Sequence, residues 1–77
     1  MTPAYIALGS NLDDPLSQLR AAIRALQTLP DTVLSRVSGV YRSAAVGPGP
    51  QPDYLNAVAL LHTDLLPLAL LDALQQI

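Results

Sequence analysis

The run Ala4-Tyr5-Ile6-Ala7-Leu8, closed by Gly9-Ser10-Asn11, is the stretch from which the rest of the chain can be laid out. A short apolar run that ends in turn-forming residues reads as a buried strand. The period then changes. Asp13 or Asp14 can cap a helix and Pro15 suits its first helical position. Leu16, Leu19, Ile23 and Leu26 recur at spacings of three and four, with Gln18, Arg20, Arg24 and Gln27 elsewhere around the axis. That pattern predicts an amphipathic helix of about four turns with one face for a sheet, ended by Pro30-Asp31.

From Thr32 to Arg42 the residues are rich in β-branched side chains, Ser and Tyr, which predicts a second strand. Arg36 and Ser38 spoil its alternation, so an edge position or a bulge near Gly39 is expected. Ser43 to Asp53 cannot form a regular element, because Gly47, Pro48, Gly49, Pro50 and Pro52 interrupt any ladder. A loop of that length is more often functional than incidental. Tyr54 to Thr63 reads as another buried strand. Asp64 to Pro67 starts a second helix, whose apolar face is Leu70, Leu71, Leu74 and Ile77. The order strand, helix, strand, loop, strand, helix predicts an α/β (α+β) chain: an incomplete ferredoxin-like βαββα(β) unit, an antiparallel sheet with helices on one face.

Composition removes several function classes. The chain has 77 residues and a formal net charge of −2, its basic residues being Arg20, Arg24, Arg36 and Arg42. Four scattered arginines make no basic stripe for nucleic acid. Without cysteine there is no disulfide, thiolate nucleophile or zinc-thiolate site. No run of about 18 apolar residues is present, and the amino terminus lacks the pattern of a secretion signal, so a cytoplasmic setting is the expectation. A hydrophobic content of 51% argues against disorder.

The candidate chemistry centres on Tyr54 and Asn56. Two apart on a strand, they face the same way. A tyrosine ring is a flat stacking surface and an asparagine amide offers donor and acceptor. The pair suits a planar heterocycle such as a pterin or purine; the plainer alternative is a core aromatic beside a strand-end polar residue. Gly9-Ser10-Asn11 lies where phosphate loops occur, yet with one glycine and no lysine it matches neither phosphate-binding fingerprint. Asp13 and Asp14 read more simply as helix capping than as a metal site. His62, the only histidine, reads as structural, and Arg20 and Arg24 as a solvated face.

Four stretches together resemble the hydroxymethyl-dihydropterin pyrophosphokinases of folate biosynthesis: Tyr5 to Leu12, Val40-Tyr41-Arg42-Ser43, Val46-Gly47-Pro48, and Gln51 to Asn56. The resemblance runs through essentially the whole chain. It implies a ferredoxin-like core and ATP-dependent transfer of pyrophosphate to the hydroxymethyl group of a dihydropterin, with AMP as product and two magnesium ions as cofactors. On the matching positions it implies that Tyr54 stacks on the pterin and Asn56 hydrogen-bonds it. It further implies that Ser43, Ala44 and Val46 line the pterin, and that Gln75 contacts ATP. Where this chain has Ser43-Ala44 the family usually has Thr-Pro, a departure that keeps the hydroxyl and loosens the loop. The family's Arg-Trp-Gly-Pro-Arg run, its Leu-Asp-Leu-Asp magnesium ligands and a second pterin-stacking aromatic do not occur in this sequence.

The resulting expectation is the amino-terminal part of a single pyrophosphokinase domain, holding half of the pterin pocket and no catalytic or metal-binding residue. Such a chain would be catalytically inert, since phosphoryl transfer relies on metal and cationic stabilisation. Two other readings stand beside it, a non-catalytic pterin- or purine-binding module and a small structural pairing domain. A complete domain of the family is expected to be a monomer. This chain, with its first strand lacking a neighbour, is expected to self-associate.

Overall fold

The computed structural model describes residues 1–77 and builds them into β1 (Thr2–Ser10), α1 (Pro15–Leu26), β2 (Thr32–Val37), β3 (Tyr41–Ser43), β4 (Tyr54–Thr63) and α2 (Pro67–Gln75). The strands form one antiparallel sheet in the order β1-β4-β2, with the short β3 also paired to β4. β4 is the hub. Both β1 and β2 run opposite to it, so they are parallel to each other with β4 between them, the split arrangement of a βαβ crossover.

Alternation along β4 separates two faces. Ala57, Ala59, Leu61 and Thr63 are buried, whereas Tyr54, Asn56, Val58, Leu60 and His62 project to the opposite side. Against the first face lie Leu26 of α1 and Leu70 and Leu74 of α2, packed with Ala4, Ile6, Leu8 and Leu34 from the neighbouring strands. Both helices therefore cover one face. The core is small: Leu19, Leu26, Ala57, Ala59 and Leu61 are its only fully buried apolar residues. Each buried leucine contributes about 1.5–3 kcal/mol. The other face stays open, and the radius of gyration of 13.5 Å exceeds the roughly 11.5 Å expected of an evenly packed domain of this length.

Several expectations need correction. The strand expected over Thr32 to Arg42 is two, β2 and β3, broken at Ser38 to Val40. At the break Ser38 substitutes for the ladder, its backbone N–H donating to the Val58 carbonyl and its hydroxyl oxygen accepting the Val58 N–H, both at 2.8 Å. The bulge lies at Ser35, between Leu34 and Arg36, not near Gly39. Its extra residue resets the alternation. Leu34 faces the core, and without the bulge Arg36 would too; with it, Arg36 emerges on the open face opposite Leu60.

Asp14 occupies the helix cap position in a left-handed conformation (φ 52°) but makes no side-chain capping bond. Ser10 and Gln18 anchor this turn instead. The Ser10 hydroxyl donates to Gln18 Oε1 at 2.8 Å and accepts the Leu12 N–H at 3.3 Å, while Gln18 Nε2 donates to the Asp13 carbonyl at 3.2 Å. On α2, Leu70 and Leu74 face the core as expected, but Leu71, and Ile77 just past the helix end, are each about half exposed. α2 has the shorter covered stripe.

Candidate functional site

Where β1, β4 and β3 lie side by side on the open face, Gly9, Asn56 and Tyr41 form one cross-strand row. One step further toward the loop, Tyr54 stands opposite Ser43. Tyr54 is thus no core aromatic: its ring belongs to the uncovered side of the sheet and is 36% exposed. That removes the plainer alternative for this residue.

Asn56 is held by its amide. Nδ2 donates to the Ser43 hydroxyl oxygen at 2.8 Å and to the Tyr41 carbonyl at 3.3 Å. Both amide hydrogens are therefore engaged inside the protein, and Oδ1 is left as an acceptor on the Gly9 side. The sequence suggested an amide offering donor and acceptor together; the fold reduces it to an acceptor and leaves the Ser43 hydroxyl hydrogen as the available donor. None of these five side chains is charged. A stacking ring with neutral hydrogen-bonding groups at its edge suits a neutral planar heterocycle rather than an anion.

The Gly/Pro loop borders the group. Asn11 Nδ2 donates to the Pro52 carbonyl at 3.4 Å and ties the loop to the end of β1. Gly47 at φ 141° takes a backbone conformation that a side chain would strain, and a Cβ there would stand 3.0 Å from Gln51 Nε2. An open hollow of about 620 Å³ runs beneath the loop, lined by Asn11, Leu12, Asp13, Gln18, Gln51 and Pro52.

Of the residues singled out from sequence, the fold brings Ser43, Tyr54 and Asn56 together, with Ala44 next in the chain. Val46 lies in the loop at 95% exposure and does not reach them. Gln75 ends α2, on the helix-covered side, where its neighbours Gln76 and Ile77 line a hollow against α1 and the end of β1. The structure does not join it to the Tyr54 group. His62 hydrogen-bonds Ser35 across the bulge, a structural role. Sequence reasoning weighed Gly9 only as a turn or phosphate-loop residue and passed over Tyr41. Only the strand register shows that they flank Asn56, although both fall within resembling stretches. It also passed over a third hollow, of about 510 Å³, in which Tyr5 and Arg36 flank a floor of Val58 and Leu60. No three Asp, Glu, His or Cys side chains gather at one point, so the residues present do not fit a magnesium pair.

Residues 5–77 match the family described as 7,8-dihydro-6-hydroxymethylpterin-pyrophosphokinase. Among curated relatives, the 2-amino-4-hydroxy-6-hydroxymethyldihydropteridine pyrophosphokinase of Haemophilus influenzae is 54% identical over 77 residues, 100% of this chain and 48% of that protein. The proteins of the same name from Pseudomonas aeruginosa and Pseudomonas putida are 53% identical over 73 residues and 57% identical over 74. Those alignments cover 95% and 96% of this chain, and 45% and 61% of the relatives. The chain spans about half the length of the curated relatives it matches.

Proposed function

The chain belongs to the 7,8-dihydro-6-hydroxymethylpterin-pyrophosphokinase family, and from that premise we propose that it serves ATP-dependent pyrophosphate transfer to 6-hydroxymethyl-7,8-dihydropterin in folate biosynthesis. In this reading its 77 residues are the pterin-reading part of one domain. Tyr54 stacks on the pterin ring, Asn56 Oδ1 accepts from a ring N–H or amino group, and Ser43 donates at the same edge. Ala44 and Val46 complete the lining when the loop closes over the ligand, and Gln75 serves the ATP side. The observation that carries the reading is the uncharged stacking and hydrogen-bonding group of Tyr54, Asn56 and Ser43 on an uncovered sheet face.

ATP and magnesium ions belong to the same proposal, with the magnesium ligands outside these residues. The 77-residue chain alone should release no AMP from ATP and hydroxymethyl-dihydropterin; measurable release would overturn that statement. A cytoplasmic setting is part of the same proposal. No helix is long and apolar enough to cross a membrane.

Binding of 6-hydroxymethylpterin, followed by quenching of its fluorescence, tests the reading. Aromatic stacking on a planar base is worth about 1–3 kcal/mol, so Tyr54→Ala should weaken binding roughly 5- to 150-fold. Tyr54→Phe keeps the ring and should bind within about twofold of the parent. Equal affinity for Tyr54→Ala and the parent would remove Tyr54 from the site.

The isolated chain is further proposed to self-associate through β1. This strand pairs on one side only, with β4. It has no charged side chain and presents Tyr5 at 75% exposure. An uncharged open edge of nine residues is a template for pairing with a second copy.

A further inference from the structure

We infer that Gly9 is a positioning residue for ligand recognition, its missing side chain setting where the Asn56 amide sits. Gly9 is an ordinary extended residue of β1, paired directly with Asn56. Its backbone is not in the left-handed region, so conformational freedom does not explain a glycine there. In a strand interior glycine is a cost, because it loses more chain entropy than alanine and packs nothing. Space does explain it. A Cβ on Gly9 would stand 3.1 Å from Asn56 Oδ1 and 3.8 Å from Tyr54 Cδ1. The first distance is tight for carbon against oxygen, so the amide would have to give by a few tenths of an ångström, and the second is ordinary contact.

The consequence follows from how Asn56 is held. Its Nδ2 is fixed to Ser43 and Tyr41 on one side, so Oδ1 must point to the other, toward Gly9. Moving the amide a few tenths of an ångström away from a methyl group at Gly9 would lengthen and tilt the 2.8 Å bond to Ser43. The oxygen that reads the ligand and the hydroxyl beside it would shift together. Gly9 touches the recognition group by leaving room for it, and specificity for the heterocycle's donor edge depends on that room. This rests on the pterin reading only for the identity of the ligand.

The test compares Gly9→Ala with Gly39→Ala, a position where a Cβ would meet nothing within 4 Å. On the ¹⁵N-labelled 77-residue chain, the Asn56 side-chain amide resonances report the geometry without ligand, and quenching of 6-hydroxymethylpterin fluorescence reports recognition. Gly9→Ala should displace those resonances and weaken binding about tenfold, the worth of one hydrogen bond to the ligand, while Gly39→Ala changes neither. Unmoved resonances in Gly9→Ala would overturn the inference, as would unchanged affinity when the parent binds. If the parent binds no pterin and the resonances still move, the positioning role stands and the pterin reading falls. Should Gly9→Ala fail to fold, Gly9→Ala combined with Asn56→Ala removes the clashing amide and should fold; its failure would equally overturn the inference.

Discussion

Replacing Asn56 by aspartate exchanges one NH₂ group for an oxygen and tests the hydrogen-bond arrangement at the centre of the site. In the native chain Nδ2 donates to the Ser43 hydroxyl at 2.8 Å and to the Tyr41 carbonyl at 3.3 Å. An ionised carboxylate can donate to neither. Ser43 can turn its hydroxyl hydrogen toward the new oxygen and recover that contact, but the Tyr41 carbonyl has nothing to give. One bond is lost, about 0.5–1.5 kcal/mol, and two oxygens now face each other at the former bond distance. Water reaches this face, so the repulsion is screened and adds roughly 1 kcal/mol. A total of about 1.5–2.5 kcal/mol is a large share of the 4–12 kcal/mol typical of a chain this long.

The cost should depend on pH with a definite sign. Protonated, the new carboxyl regains a donor and can serve the Tyr41 carbonyl, so folding favours its neutral form and raises its pKa above the unfolded value of about 3.9. Stability recovered in this way is fully present below the unfolded pKa and is lost as pH rises through the folded one. Urea unfolding followed by circular dichroism at about pH 3.5 and pH 7 measures it. Each variant is compared with the parent at the same pH, which cancels the other carboxylates. Asn56→Ala, which removes both bonds and adds no charge, should show a pH-independent loss. An equal loss for Asn56→Asp at both pH values would refute the arrangement of donors described above.

Leu61→Ala, at a position 0% exposed in the centre of β4, should cost about 2.5–5 kcal/mol by lost burial and an unfilled cavity. Leu68→Ala, 80% exposed, should change stability by less than about 0.5 kcal/mol, and urea midpoints that failed to separate the two would contradict the core assignment. Ala7→Lys puts a charge on the exposed side of the open β1 edge and should shift the isolated chain toward monomer in sedimentation velocity. A parent chain that sediments as a sharp monomer would end the pairing proposal.

How much was legible beforehand differs from element to element. The periods of 2 and 3.6 residues are local, so β1, α1, β4 and α2 could be read directly. Thr32 to Arg42 could not be resolved by the same means. Its residues suit a strand throughout, and only pairing with β4 shows the bulge at Ser35 and the break bridged by Ser38. Asp14 illustrates another limit. It had the right type and place for a cap, but the Ser10–Gln18 bond across eight residues already anchors the turn, and that bond depends on how strand and helix dock.

For the site, the residue types alone picked out Tyr54 and Asn56 as a stacking and hydrogen-bonding pair, and the resemblance added Ser43. Which sheet face they occupy, and that Asn56 spends both amide hydrogens within the protein, followed only from tertiary pairing. Gly9 makes the division sharpest. In the sequence it reads as the turn that ends an apolar run. In the fold it is a paired residue near the end of β1 whose absent side chain makes room for an amide 47 positions away. Local propensity is a property of neighbours along the chain, whereas room for a side chain is decided by atoms that meet only after the strands have paired.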